Sequence, residues 1–219
     1  MFDTRYEVVL ANTPESKEIH FNLRYKVFCL EKGFEDAGKF TAQMEQDQYD
    51  SQAIHFLVRE RLRNGWIGAA RLIIDKMSAL PMTNIVDIEV PGTNNNAMAA
   101  EFSRLLVLDN FRQPQAKVAA EPEILLGLIR AARDYCLQRN IKSVLFLCRR
   151  SIYRILGNTG IDMLQIGSPC IHRGVRAPYL VDLDTGFDRV FLPYSRAYQM
   201  FSRAQSYCYY SDLYGRQVA

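Results

Sequence analysis

Two apolar runs, IHFLVRERLR and WIGAARLII, meet at Asn64-Gly65, and that junction constrains the fold more than any other local pattern in the chain. Asn-Gly between apolar runs favours a two-residue hairpin turn, because both residues tolerate left-handed backbone. An antiparallel pair is therefore expected, with Ile54, Phe56 and Val58 alternating on one face. The run from Glu7 to Leu10 suits a short first strand. EFSRLLVL, with Leu105 to Leu108 apolar on both faces, suits a central one. SVLFLC reads as a further buried strand, and two more are expected near Met163–Gly167 and Tyr179–Leu183. Helices fall between them. Thr13 can cap, Pro14 suits the first helical position, and Ser16 follows at the third. Ile19, Leu23, Val27 and Leu30 then recur at helical spacing, which puts that stripe in the core and Arg24 and Phe28 beside it. Further helices are expected over Ile124–Arg139, Arg149–Leu156 and around Tyr194–Ala204. Residues 31–50 and 78–100 show no period and read as connections. Helices alternating with strands and a hairpin give an α/β domain with a mixed central sheet flanked by helices, spanning residues 1–219 as one unit.

Composition narrows the class. Hydrophobic residues make up 48% and charged residues 23% of 219, ordinary for a globular chain. A net charge of +3 is too weak to point to nucleic acid. The five cysteines are scattered, with no Cys-x-x-Cys pair, and Cys170-Ile171-His172 has no partner nearby in sequence. Free thiols in a reducing compartment are expected, with no metal site. No signal peptide is visible at the N-terminus, and no apolar run approaches the roughly 20 residues that span a bilayer. A cytoplasmic protein without a transmembrane segment is the expectation.

Several charges stand where the pattern calls for apolar or neutral residues. Arg24 lies in the first helix, Asp47 and Asp50 end the acidic loop, and Arg71 is embedded in GAARLII. Glu101 and Arg104 open the central strand. Charge inside a sheet segment is expensive to bury unless paired. Any one of these reads as an edge charge or surface ion pair. Six together, at the ends of neighbouring elements, point to mutual pairing in a functional site.

The spaced pattern Arg24-x-x-x-Phe28, Asp47-x-x-Asp50, Arg71 and Glu101-x-x-Arg104 resembles the signature of the acyl-homoserine-lactone (autoinducer) synthases, members of the GNAT superfamily of N-acyltransferases. Those enzymes carry tryptophan, part of an S-adenosylmethionine pocket, where this chain has Phe34. LRYKVFCLEKGF followed by DQYDSQAIHFLVR, with His55 after the acidic motif, is similar instead to the N-acyl amino acid synthases and the exosortase-associated acyltransferases. The resemblance covers roughly residues 20 to 155. It implies a GNAT-like fold and transfer of an acyl group from a thioester to an amine. It also implies catalytic roles for Glu101, Ser103 and Arg104, with Glu101 as general base and Arg104 orienting it or an acceptor carboxylate. Arg24, Phe28, Phe34, Asp47, Asp50 and Arg71 become candidate substrate-binding residues. Leu106 and Val107 would lie near a splayed point of the central strand, where a backbone N–H meets the thioester oxygen.

The donor is addressed by an absence. GNAT enzymes that use acetyl-CoA carry a glycine-rich nest after the central strand, where amides cradle the pyrophosphate. Here that place reads FRQPQAKVAAEPE, without glycine. Arg149, Arg150 and Arg154 crowd the start of the next helix, suiting an acidic acyl carrier protein, unless they form an ordinary solvated face. The expected co-substrate is an acyl carrier protein thioester on phosphopantetheine, with acyl-CoA second and no permanently bound cofactor. The expected acceptor is an amino acid or related amine. Two alternatives stay open, an autoinducer synthase using S-adenosylmethionine and a catalytically idle module that binds a lipid or a partner.

Overall fold

The computed structural model describes residues 2–92, 94, 96–112, 120–195, 197–203 and 206–214. The elements run α1 (Phe2–Arg5), β1 (Tyr6–Leu10), α2 (Pro14–Arg24), β2 (Ile54–Glu60), β3 (Gly65–Lys76) and β4 (Met98–Val107). Then follow α3 (Asp109–Arg112), α4 (Ala120–Leu137), β5 (Ser143–Cys148), α5 (Arg150–Asn158), β6 (Leu164–Gln165) and β7 (Cys170–Ile171). The chain closes with β8 (Val175–Asp182), α6 (Tyr198–Phe201), β9 (Cys208–Tyr209) and α7 (Tyr210–Tyr214). The strands form a mixed sheet in the order β6-β8-β5-β4-β3-β2-β1-β9, with β7 attached to β8 alone. Two compact units share these strands, and the boundaries between them run through β3 and β4.

The first unit takes in the described residues of Met1–Arg71, Arg104–Ala131 and Ala204–Ala219. In it β1 pairs antiparallel with β2, from Tyr6↔Glu60 to Leu10↔Phe56, and parallel with β9 through Val9↔Cys208 and Leu10↔Tyr209. Flanked on both edges, β1 is buried along its whole length. Phe56, Leu57 and Val58 are all fully buried, so β2 has no solvent face and the expected alternation is absent. The hairpin itself is present, but its connection is Arg61–Asn64: Asn64 takes the left-handed φ of 53° and Gly65 opens β3. On α2 the cap is as expected. The Ser16 N–H donates to Thr13 Oγ1 while the Thr13 N–H donates to Ser16 Oγ. The apolar stripe fails at one position. Tyr25–Glu31 continues as π-helix, whose wider turn carries Leu30 outward to 63% exposure while Val27 and Cys29 stay buried. Leu23, Val27, Val9, Leu57, Ala69 and Leu106 form the core of this unit.

The second unit holds the described residues of Leu72–Ser103 and Ala132–Arg203. Its spine is the antiparallel pair β5–β8, in register from Ser143↔Asp182 to Cys148↔Ala177. Along the other edge of β5, β4 runs parallel through Ala100↔Val144 and Glu101↔Leu145. That register goes no further, although Phe146 to Cys148 stay paired with β8. Phe102 and Phe146 meet as tilted rings, centroids 5.4 Å apart, where the ladder ends. β4 starts three residues before the expected strand, and Arg149 caps α5 rather than belonging to it. The helix expected around Tyr194–Ala204 is α6, Tyr198–Phe201, with Ala204 outside the described residues and a further short helix, α7, beyond it. Among the described residues, no helix is long and apolar enough to cross a membrane.

Candidate active site

The acidic loop ends in a tight turn that presents three carboxylates to three guanidinium groups, all within the first unit. The Asp50 N–H donates to Asp47 O at 3.1 Å, and the Asp47 N–H donates to Asp50 Oδ2 at 2.7 Å, so the turn fixes both acids. Arg24, on the last turn of α2, is fully buried; its Nε donates to Glu45 and its Nη1 to Asp50 Oδ1 at 2.6 Å. Arg71, on β3, places Nη1 2.6 Å from Asp47 Oδ1 and 3.1 Å from Asp50 Oδ1. Arg104, on β4, donates through Nη2 to Asp47 Oδ2 at 2.8 Å and through Nε to Glu45 Oε1 at 3.3 Å. Three positive and three negative groups cancel, which is the condition for burying six charges. Burial works to raise the Asp50 carboxyl, but Arg24 and then Arg71 outweigh it and hold it well below the ordinary carboxylate range.

The sequence pattern brought five of these six to attention. Glu45 was missed, yet it joins Arg24 to Arg104 and is itself buried. Charge balance was the available signal: three arginines embedded in apolar segments call for three acids, and Asp47 and Asp50 are two. Glu45 and Asp47 engage the guanidinium of Arg104. Arg24 is engaged by two acids, Glu45 and Asp50, and is fully buried. Its Nη2 is buried without a protein acceptor.

Behind the acids, also in the first unit, lies a pair of buried imidazoles. His20 Nε2 is 3.2 Å from Ala70 O, and His55 Nε2 is 3.1 Å from Asp50 O. A carbonyl only accepts, so both rings carry hydrogen on Nε2 and leave Nδ1 bare; both Nδ1 atoms are buried without a partner. The ring centroids are 4.6 Å apart. Burial, reinforced for His20 by the neighbouring His55, depresses both: His55 is pushed down to about 4, and His20 falls well below the usual imidazole range. His55 supports the Asp47–Asp50 turn as a neutral group, and His20 ties the His55 ring to β3 through Ala70 O. Phe28 and Phe34 stack at 6.3 Å, so the π-helix and the loop after it deliver the two aromatic candidates together.

Glu101 and Ser103 belong to the second unit. Glu101 is 5% exposed, and its Oε2 accepts the Met82 N–H at 2.7 Å. It occupies the last paired position of β4 against β5. Three residues on, Arg104 adopts φ of 52°, a left-handed residue inside a strand. Non-glycine residues take this conformation rarely, and within a strand it marks a bulge. Leu106 and Val107, where the splayed point was expected, follow two and three residues later. Both of those are buried in the first unit, Leu106 among the core residues Val9, Leu57 and Ala69. Arg149, Arg150 and Arg154 are exposed in the second unit around the start of α5.

Comparisons with known proteins bear on the fold. Residues 23–120 match the model of the Acetyltransferase (GNAT) domain. A search of curated sequences returns no match. Among solved structures, the acyl-homoserine-lactone synthase LasI superposes with a TM-score of 0.62 at 19% identity, covering 83% of this chain and 91% of that one. The CoA-dependent acyl-homoserine lactone synthase BjaI, solved with SAM and isopentyl-CoA, gives 0.59 at 20%, covering 86% and 90%. FeeM, an N-acyl amino acid synthase from uncultured soil microbes, gives 0.58 at 12%, covering 86% and 97%. The chain has the GNAT fold, in the form shared by acyl-homoserine-lactone synthases and an N-acyl amino acid synthase, and residues 23–120 carry the match to its domain model.

Proposed function

We propose that the chain is an N-acyltransferase that moves an acyl group from a carrier thioester to the amine of an amino acid or related acceptor. The observation that carries this reading is Glu101: a buried carboxylate, pinned by the Met82 N–H, at the position where β4 leaves β5. An acceptor ammonium must lose a proton before its nitrogen attacks the thioester carbonyl. Glu101 takes that proton, directly or through water. The C–N bond forms, the C–S bond breaks, and the departing thiolate recovers a proton. A positioned base of this kind contributes on the order of a hundred- to ten-thousand-fold. The bulge at Arg104 releases strand backbone from the ladder, and an N–H aimed at the carbonyl oxygen stabilises the developing charge by roughly 3–4 kcal/mol. The ionic network of Glu45, Asp47 and Asp50 with the three arginines holds that bulge rather than the substrate.

The donor in this reading is an acyl carrier protein thioester, supported by the glycine-free segment 111–123, of which 113–119 lie outside the described residues, and by the basic start of α5. A second reading, homoserine-lactone formation from S-adenosylmethionine, draws on the likeness to LasI and BjaI and on the Phe28–Phe34 stack. Phenylalanine in place of tryptophan offers a sulfonium the weaker cation–π partner. One assay tests both: acyl-carrier donor supplied with an amino acid or with S-adenosylmethionine, using wild type and Glu101→Gln. The amide is expected with the amino acid, and the variant should turn over at least about a hundredfold more slowly while keeping its fold. Product formed with S-adenosylmethionine alone selects the second reading, and a folded variant of normal turnover removes Glu101 from the chemistry.

A further inference from the structure

Residues 135–181 hold seven bases and one acid, Asp162, whereas the rest of the chain holds twenty bases and twenty-three acids. That stretch lies within the second unit, and two of its elements present the charge. One is the start of α5. The other is the hairpin of β7 with the start of β8, Val175–Arg176, which precedes the part of β8 paired with β5. Its turn, His172 to Gly174, is closed by the His172 N–H donating to Gly174 O at 3.0 Å, with Arg173 and Gly174 both left-handed.

Ile171 and Val175 are directly paired at the base of this turn, 90% and 68% exposed. Directly opposed residues share one face of a ribbon, so the two side chains make a single aliphatic tip. Arg173 lies in the turn, whereas Arg176, paired with Cys170, belongs to the other face of the ribbon and donates through Nη1 to Leu147 O at 3.4 Å. Arg149 reaches over from the end of β5, with Nη2 donating to Arg173 O at 3.2 Å. A β-branched pair this exposed, with Arg173 in the turn beside it and Arg149 against that turn, has no role in packing the unit.

We infer that this hairpin tip docks on the surface of an anionic lipid bilayer, with Ile171 and Val175 in the boundary between headgroups and acyl chains and the arginines on lipid phosphates. The arginines alone suit any polyanion; the aliphatic pair discriminates among them. Duplex nucleic acid admits an aliphatic wedge only by unstacking a base step, at a cost in free energy. A protein partner must carry a matching recess, whereas a bilayer closes around a small convex tip wherever it inserts. Each guanidinium held near an anionic surface multiplies partitioning about fivefold and loses that gain as salt rises.

Co-sedimentation of the full chain with vesicles tests this independently of the acyl-transfer reading, because it needs no turnover. The chain should bind vesicles of phosphatidylcholine mixed with phosphatidylglycerol, bind phosphatidylcholine alone weakly, and be released by high salt. Ile171→Ser/Val175→Ser should lower partitioning at least about tenfold, with thermal stability unchanged because both side chains are exposed. Failure of the wild type to sediment with anionic vesicles at low salt overturns the inference, as does equal binding by the double variant. A double variant that loses turnover only with a carrier-protein donor, while the wild type ignores vesicles, assigns the tip to a protein partner instead.

Discussion

Glu45 shows how one side chain sets the character of the ionic network. It accepts from Arg24 on one side and from Arg104 on the other, and it is sealed from solvent. Glu45→Gln keeps the shape but leaves three guanidinium groups facing two carboxylates in a buried setting. Breaking a buried pair costs about 3–5 kcal/mol, since the surviving charge keeps its desolvation penalty. Denaturant unfolding should register that loss, and a change within about 0.5 kcal/mol would show the network to be solvated. The imidazoles behind it give a second residue-level consequence. A histidine whose folded pKa is depressed binds its proton more readily when unfolded, so stability falls as pH drops through that interval. For His55 the interval runs from 6.5 to about 4, because burial keeps its ring neutral. The slope is about 1.4 kcal/mol per pH unit per histidine, or about 3 kcal/mol across the interval for His55. His20 adds to it in the same direction. Asp50, whose folded value is depressed by Arg24 and Arg71 against its burial, adds a loss only below its ordinary value of 3.8. Stability measured against pH should therefore decline from about 6.5, and His55→Gln should flatten the upper part of that decline. A wild-type curve level down to pH 4 would mean that the imidazoles are hydrated.

At the scale of elements, periodicity located the strands and helices that are long enough to have a period. β2, β3, β4, β5, α2 and α4 stand close to where the pattern put them. The departures have identifiable causes. A π-helical turn admits an extra residue without any marker in the side chains, which is why Leu30 was assigned inward and emerged outward. β9 is two residues long and pairs with β1 from the far end of the chain, and no local signal encodes a partner so distant. The bulge at Arg104 is equally silent in sequence, because Glu45 and Asp47 hold a conformation that arginine does not prefer. Five of the six network charges were legible as misplaced polarity, whereas their pairing partners were not. α1 is too short for a period, yet it fixes α4 through the Asp3–Arg130 and Arg5–Glu123 ion pairs and through one tight apolar contact. Phe2 is buried with its ring on Gly127, where an added Cβ would stand 2.3 Å from Cζ. Tyr6 at 5.6 Å and Arg130 over the ring at 5.6 Å block its retreat. Gly127→Ala gains roughly 1 kcal/mol of helix propensity but overpacks a core at a cost of about 1–3 kcal/mol. The clash with a confined ring should win, so melting temperature should fall. In a Phe2→Ala background the same change should become neutral or stabilising, and a loss that persists there would exonerate the ring.

For the molecule as a whole, the distribution of charge matters more than its sum. The ionic network of the first unit is neutral, whereas the second unit concentrates Arg149, Arg150 and Arg154 at the start of α5. Cations at a helix N-terminus oppose the macrodipole, each at a cost of about 0.3–1 kcal/mol. Arg149 and Arg150 in that position, with Arg154 one turn on, are a poor choice for stability and a good one for steering an acidic partner, whose encounter rate a charged patch raises by about 10–1,000-fold. With no glycine in residues 111–123 to cradle a pyrophosphate, binding energy for coenzyme A has no evident source there. Acyl carrier protein thioesters should therefore surpass acyl-CoA in kcat/KM. Arg149→Glu/Arg150→Glu/Arg154→Glu should lower the carrier-protein value by about 10–100-fold at low ionic strength, and by much less at high ionic strength, where exposed charges are screened. An acyl-pantetheine donor separates steering from chemistry, because it carries the same thioester with neither an acidic helix nor a nucleotide. Its turnover should not change in the triple variant. An equal loss with that neutral donor would mean that the arginines support the unit itself, and no loss with the carrier protein would mean that it docks elsewhere.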